Sequence, residues 1–378
     1  MAYGVVMHAG AQVHRDRLAA ARARCAAAGI DLLLVSPGPD LRYLLGYDAV
    51  PLERLTCLAI PADGDPWLVV PGLEALAAAA SPAGTLGLPV HPWAETDDPY
   101  RLVSGLAGQV ATVALDDRMW ASKVLRLRTA MPTATQVLAG PVLEAMRMRK
   151  DEAEIQALRE AGAAIDRVHA QVPALLRPGR TEREVGRDIA ELIIDAGHVT
   201  VDFVIVASGP NGASPHHEVS DRVIASGDPV VVDIGGTMPS GYCSDSTRMY
   251  CLGEPSDDYQ RMYATLLAAQ EAAVARVRPG VTCEAVDHAA RDVLDEAGHG
   301  ALFIHRTGHG IGLETHEAPY IVEGNALALE PGMAFSIEPG FYLEGSFGAR
   351  IEDIVVCTAD GVERMNHRPR ELVIVDAV

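Results

Sequence analysis

Four acidic residues stand where a carboxylate is out of place. Val230-Val231-Val232-Asp233-Ile234-Gly235-Gly236 is an apolar, β-branched run ending in Asp-x-Gly, and Asp245 follows 12 residues later in Tyr242-Cys243-Ser244-Asp245. Ala334-Phe335-Ser336-Ile337-Glu338-Pro339-Gly340 ends in Glu-x-Gly, and Glu352 follows 14 residues later in Arg350-Ile351-Glu352-Asp353. A carboxylate within an apolar strand is costly to bury unless it is paired or binds a metal. Four of them together repel one another, and divalent cations are the natural remedy. Between the pairs lies His305-Arg306-Thr307-Gly308-His309-Gly310-Ile311-Gly312-Leu313-Glu314-Thr315-His316-Glu317, where glycines around His309 allow close backbone approach. One imidazole with four carboxylates is a mixed N/O donor set, suited to Mn, Co, Fe or Zn. Carboxylates can bridge, so Asp233, Asp245, His309, Glu338 and Glu352 suffice for a two-metal centre about 3.5–4 Å across. Each alone has an ordinary reading as a turn, cap, surface or core residue.

The elements around these residues are duplicated. Arg177-Pro178-Gly179-Arg180-Thr181 leads through a helix to Ala196-Gly197-His198, and Arg278-Pro279-Gly280-Val281-Thr282 leads through another to Ala297-Gly298-His299, an offset of 101 residues at both ends. Thr181-Glu182-Arg183-Glu184 has the S/T-x-x-E form of a capping box. One acidic pair follows each helix, and Gly or Pro after the first acid suggests a turn there, so each pair fits two adjacent strands joined by a loop. The expectation is a half-domain and its repeat facing each other across a pseudo-twofold axis, each supplying two carboxylates. A long helix over 151–176 should precede the first repeat, stopped at Arg177-Pro178-Gly179. Residues 1–145 alternate a helix over 14–28 with strands at 31–35, 55–60, 67–70 and 110–115 and a helix over 73–80, the pattern of an α/β domain. The second domain spans 146–378 and is of α+β type.

At 378 residues the chain has room for two cores. The formal charge of −20 repels nucleic acid and anionic membranes. No stretch approaches the roughly 20 apolar residues of a membrane span. The six cysteines are scattered, with no CxxC pair, as expected of buried, reduced thiols. The N-terminus has no basic region before an apolar core, and with the reduced thiols this gives a cytoplasmic protein as the expectation.

The motifs Asp233-Ile-Gly, Tyr242-Cys-Ser-Asp245-Ser-Thr-Arg248, Thr307-Gly-His309-Gly-Ile-Gly-Leu-Glu-Thr-His316-Glu, Ser336-Ile-Glu338-Pro-Gly and Arg350-Ile-Glu352-Asp together resemble the pita-bread metallopeptidases, in particular the Xaa-Pro dipeptidase (prolidase) and Xaa-Pro aminopeptidase branch. The resemblance is specific over about residues 145–378. Over 1–145 it extends only to a creatinase-like α/β domain of suitable length. It implies two divalent ions, Mn first with Co or Zn as alternatives. Asp233 and Asp245 would hold one, His309 and Glu338 the other, with Asp245 and Glu352 bridging. Glu338 would also be the general base. His216, seven residues after Gly209 as in relatives, would be a further catalytic histidine, and His316 would contact the substrate amide or carbonyl. His305, Tyr342 and Arg350 match positions that line or brace the substrate pocket. The implied reaction is hydrolysis of the N-terminal Xaa-Pro bond of dipeptides or short peptides, through a bridging hydroxide. The implied partner is a peptide with proline second, and relatives are often dimers or tetramers, so a homodimer is expected. The spacing of 12 between Asp233 and Asp245 exceeds the 11 of many relatives, which places one extra residue in the loop 237–241. Methionine aminopeptidase shares the ligands but usually lacks such an N-terminal domain. Amidohydrolases or lyases on this fold, and binding proteins on a retired scaffold, tend to lose ligands that this chain keeps.

Overall fold

A computed structural model describes residues 10–376, and the chain divides into two compact units between Arg147 and Met148. The first unit is built on a six-stranded sheet of β1 (Leu32–Val35), β2 (Cys57–Pro61), β3 (Trp67–Pro71), β4 (Val90–Trp93), β5 (Thr112–Leu115) and β6 (Thr135–Leu138), in the order β4-β3-β2-β1-β5-β6. β1 pairs antiparallel with β2 and parallel with β5. All four residues of β1 are buried, which is why Leu32-Leu33-Leu34-Val35 is apolar without alternation. The expected first helix is present as Ala11–Ala27. The helix expected over 73–80 is a 3-10 turn, Gly72–Glu74, followed by Ala75–Ala80.

Among its described residues the second unit holds a four-stranded sheet, a five-stranded sheet and a two-stranded hairpin. The first contains β7 (Thr200–Ser208), β8 (Pro229–Thr237) and β9 (Cys243–Leu252). The second is built from β10 (Gly308–Gly310), β11 (Glu317–Ile321), β12 (Ala334–Ile337), β15 (Asp353–Cys357) and β16 (Val362–Arg364), ordered β11-β10-β12-β15-β16. Between β12 and β15 the chain forms a separate hairpin of β13 (Gly340–Leu343) and β14 (Phe347–Arg350). A final strand, β17 (Val373–Val375), returns to pair parallel with β9 at the edge of the first sheet. The duplicated helices are Glu182–Asp195 and Cys283–Glu296. Thr181 closes a full capping box with Glu184. Thr282 caps the second helix through Ala285 N–H alone, because alanine stands where the box would need an acid.

Side chains alternate between faces of a strand, and this explains where the carboxylates point. In β8, Val230, Val232 and Ile234 join a core with Ile165, Val168, Val185 and Ile189 of the helices Glu152–His169 and Glu182–Asp195. In β12 and β15, Phe335, Ile337, Val355 and Cys357 join a core with Leu266, Val286 and Leu294 of the helices Asp257–Arg276 and Cys283–Glu296. Asp233 falls on the other parity of the first sheet, and Glu338 and Glu352 on the other parity of the second. Each half thus turns its carboxylates away from its own helices.

Two local expectations fail. The helix expected over 151–176 is two, Glu152–His169 and Val172–Leu175. The amide that would close on the His169 carbonyl belongs to Pro173, which has no N–H; the Tyr250 hydroxyl donates to that carbonyl instead, at 3.1 Å. The chain also does not turn after Asp233. β8 runs on to Thr237, and Gly235 is required because a Cβ there would lie 2.4 Å from the Phe203 ring and 2.6 Å from the Ser244 carbonyl. Among the described residues no helix is long and apolar enough to cross a membrane.

Candidate metal centre

The strand registers assemble the site. In the β8–β9 pair, Asp233 stands opposite Thr247 and Gly235 opposite Asp245, so the two aspartates are diagonal neighbours on one face. In the β12–β15 pair, Ile337 stands opposite Asp353; one step further along the same register, Glu338 meets Glu352. β10 lies beside β12 through Gly310 and Phe335, bringing His309 to the same end. The glycines flanking His309 permit this approach: a Cβ on Gly308 would sit 1.9 Å from the Ser336 carbonyl, and one on Gly310 2.2 Å from that of Ala318.

Ligand atoms of Asp245, His309 and Glu352 lie within 4.8 Å of one another, all buried. His309 Nε2 is 3.6 Å from Asp245 Oδ2 and 3.2 Å from Glu338 Oε1. Its Nδ1 lies 3.1 Å from the Gly310 carbonyl, a contact that needs Nδ1 as donor and leaves the Nε2 lone pair for a cation. Ser336 Oγ donates to Glu338 Oε1 at 3.0 Å, and Thr247 Oγ1 to Glu352 Oε2 at 2.9 Å. Asp233 stands apart from the three-residue cluster, with Oδ2 held by Arg350 Nη2. Asp233 Oδ1 and Glu352 Oε1 are buried without a hydrogen-bond partner, a costly state unless something positive fills the space.

The electrostatics agree. Burial first, then the charges of Glu352, Asp233 and Glu338, push the Asp245 carboxyl well above the usual range. Burial, then Glu338 and Asp233, does the same to Glu352. Burial would also raise Glu338, but His309, His305 and Arg350 outweigh it and hold that carboxyl down to about 2. Such a donor set is frustrated alone and satisfied by divalent cations, so the residues present fit them.

Arg350, buried at the end of β14, is the main brace. Besides Asp233 it donates from Nη1 to the Tyr342 hydroxyl at 2.7 Å and from Nε to Thr247 Oγ1 at 3.2 Å. The Tyr342 hydroxyl lies 2.9 Å from His305 Nε2, and His305 Nδ1 lies 2.7 Å from the Arg306 carbonyl. That carbonyl fixes the His305 proton on Nδ1, so Tyr342 donates to Nε2. His316 is exposed, its ring centroid 4.1 Å from that of His309. Partial desolvation, then His309 and Arg306, lowers its imidazole below the ordinary range. His216 lies on the loop after β7 and is exposed; it is near enough to His316 to act on it electrostatically. The neighbouring Pro215 carbonyl accepts from Arg350 Nη1 and Nη2 at 3.4 Å.

Three residues that hold this arrangement have no role in the sequence reading: Thr247, Ser336 and Glu182. Thr247 and Ser336 stand within the quoted motifs, and their position between ligands was the available signal. Glu182 was visible only as a residue lying between Thr181 and Glu184 of the capping box.

Carboxylate-rich centres of this type serve metal-assisted hydrolysis, and comparison with known proteins narrows the class. Residues 156–359 match the model of Metallopeptidase family M24, and residues 17–149 that of the Creatinase/Prolidase N-terminal domain. The chain belongs to metallopeptidase family M24, with a creatinase-type N-terminal domain and a pita-bread catalytic domain. A protein named "Probable dipeptidase PepE" from Mycobacterium tuberculosis is 56% identical over 97% of this chain and 97% of its own length. The Xaa-Pro dipeptidase of Lactobacillus helveticus is 36% identical over 91% and 95%. Dipeptidase PepE from Mycobacterium ulcerans superposes with TM-score 0.94 at 55% identity, covering 97% of this chain and 99% of that one. A prolidase from Thermococcus sibiricus gives TM-score 0.90 at 35% identity over 96% and 99%.

Proposed function

We propose that this protein is a dipeptidase that hydrolyses the Xaa-Pro bond at a dinuclear divalent-cation centre held by Asp233, Asp245, His309, Glu338 and Glu352. The observation that carries the reading is the buried cluster of Asp245, His309 and Glu352, with Glu338 3.2 Å from His309, together with two buried carboxylate oxygens that lack partners, Asp233 Oδ1 and Glu352 Oε1. Dipeptides are favoured over longer peptides because the relatives of 56% and 36% identity carry dipeptidase names, the latter an Xaa-Pro dipeptidase.

Bound cations, Mn foremost, supply an acidified water as nucleophile and an electrophile for the scissile carbonyl. The protein's own groups do the rest. Glu338, ionised and 3.2 Å from His309, takes the proton of the attacking water and passes it to the leaving prolyl nitrogen. His216 and His316 orient the peptide and donate to the developing oxyanion. The free α-amino group sits near Asp233, which confines cleavage to the N-terminal bond. Tyr342 and His305, locked to each other and to Arg350, form one wall of the proline pocket.

The test is a substrate-length series, from Xaa-Pro to longer Xaa-Pro peptides with Mn supplied, run on the wild type and Glu338→Ala. The expected result is turnover of the dipeptide alone, lost in the variant. Preferred cleavage of longer peptides would make the protein an aminopeptidase, and full activity of Glu338→Ala would remove the mechanism.

A further inference from the structure

We propose that Glu182 is the positioning residue that sets His216 for catalysis; this rests on the assignment of His216 made above. Glu182 is the first residue of the helix Glu182–Asp195, and its side chain is fully buried. Its two oxygens gather an entire loop. Oε1 accepts from Ser208 N–H and Ser208 Oγ, both at 2.7 Å, and from Asn211 Nδ2 at 3.1 Å. Oε2 accepts from Ser220 Oγ at 2.6 Å, from Asn211 Nδ2 at 3.1 Å and from Ser220 N–H at 3.3 Å, and it lies 2.8 Å from His217 Nε2. One carboxylate thus ties both ends of the 208–220 segment. Burial opposes its charge, but the bonds from Ser220, Ser208 and His217 outweigh it and keep the carboxyl below its ordinary range. The helix N-terminus favours the same negative charge.

The consequence falls on His216. Its two chain neighbours are both anchored: the Pro215 carbonyl by Arg350, which also holds Asp233 and Tyr342, and the His217 ring by Glu182. His216 lies between these anchors, exposed, and its own ring makes no hydrogen bond to the described residues. The loop also packs closely on β14, where a Cβ on Gly348 would lie 2.0 Å from the Gly212 carbonyl. Arg350 fixes one side of His216 to the metal centre and Glu182 fixes the other to the helix. Two adjacent histidines are thereby given different fates, with His217 consumed as a tether and His216 left available. Without Glu182 the loop keeps one anchor, and either imidazole can turn toward the substrate.

The experiment is a double-mutant cycle on the full-length protein with Mn and an Xaa-Pro dipeptide. It compares wild type, Glu182→Gln, His216→Ala and the pair, reading kcat, KM, metal content and thermal midpoint. Misplacement of a catalytic group by about 1 Å costs on the order of a hundredfold in rate, so Glu182→Gln should lower kcat by about ten- to a hundredfold. Metal content should stay at the wild-type level, and the effect should shrink to less than about twofold in the His216→Ala background. An equal loss in both backgrounds, or a kcat for Glu182→Gln within about twofold of wild type, overturns the proposal. Should Glu182→Gln fail to fold, Asn211→Ala and Ser220→Ala each remove one tether and leave the carboxylate; their smaller losses must vanish with His216→Ala in the same way. Full activity of His216→Ala alone overturns the assignment of His216 and the proposal with it. An impaired His216→Ala beside a normal Glu182→Gln overturns only the positioning role.

Discussion

Thr247 offers the sharpest test of how the two halves share the site. Its side chain is completely buried, and its hydroxyl links both halves, donating to Glu352 Oε2 at 2.9 Å and accepting from Arg350 Nε at 3.2 Å. Thr247→Val keeps the β-branched shape that β9 packs and removes both bonds. A hydrogen bond to a charged group is worth about 1.5–3 kcal/mol. Taking the lower figure twice, because Arg350 keeps its other partners, gives a loss of about 3 kcal/mol. For a unit of this size that is a fall in thermal midpoint of roughly 6–12 °C. Glu352 also loses the bond that aims it, and removing such a support typically weakens metal affinity by about 10–100-fold. The assay is a thermal melt in chelator together with calorimetric titration of Mn, with Thr247→Ser expected to recover most of both. A midpoint moved by less than about 2 °C, with metal affinity within about twofold of wild type, would refute the view that this hydroxyl couples the two carboxylate pairs.

Three further outcomes follow from packing and charge. Burial, then Arg248, with a smaller part from Arg368, pushes the His169 imidazole from 6.5 down to about 3. The neutral ring therefore contributes stability in full above pH 6.5, and this is lost as pH falls from 6.5 toward 3. The amount is on the order of 4–5 kcal/mol, and an acid-unfolding curve of His169→Gln should lose that slope. Gly348→Ala would force a methyl group to 2.0 Å from the Gly212 carbonyl; it should destabilise by about 1–3 kcal/mol and lower kcat by displacing the His216 loop, and unchanged melting and turnover would contradict the contact. All six cysteines are free and buried, with burial raising Cys25, Cys243, Cys283 and Cys357 to about 11 and Cys57 and Cys251 to about 12. A thiol reagent at neutral pH should therefore find none of them until the protein is unfolded, when it should find all six.

What could be read from the sequence depended on the range of the interaction. The two repeated helices were legible because capping is local: Thr181 and Thr282 cap as their neighbours dictate. The run around Asp233 was legible as a strand, but its length was not, since Gly235 resembles a turn glycine until the Phe203 ring is known to lie against it. Pro173 breaks the long helix four residues before the expected stop at Arg177, and the acceptance of that break rests on Tyr250, a partner 81 residues from His169. The hairpin of β13 and β14 was hidden in what read as one loop between Glu338 and Glu352. The carboxylates and His309 drew notice because charge is conspicuous in an apolar run. Thr247, Ser336 and Glu182 did not, because small polar residues and a helix-cap acid are ordinary until their partners are in place. The three-residue cluster of Asp245, His309 and Glu352 and the separate hold of Arg350 on Asp233 come from strand register, which no spacing rule fixes.

β17 crosses back to close the edge of the first sheet, and this has a consequence for biosynthesis. A chain emerges from its N-terminus, so β7, β8 and β9 are available long before their last neighbour. Asp233 and Asp245 are made more than a hundred residues before Glu352, and the edge of β9 waits until Val373–Val375 arrives. A nascent chain stopped anywhere between presents two carboxylates without their counterparts beside an open, apolar sheet edge, a species prone to aggregate. Cation loading and closure of that edge are therefore nearly simultaneous and late. The unfinished chain lacks Glu352 and the strand that covers β9, and so has neither the full carboxylate set nor a closed sheet edge.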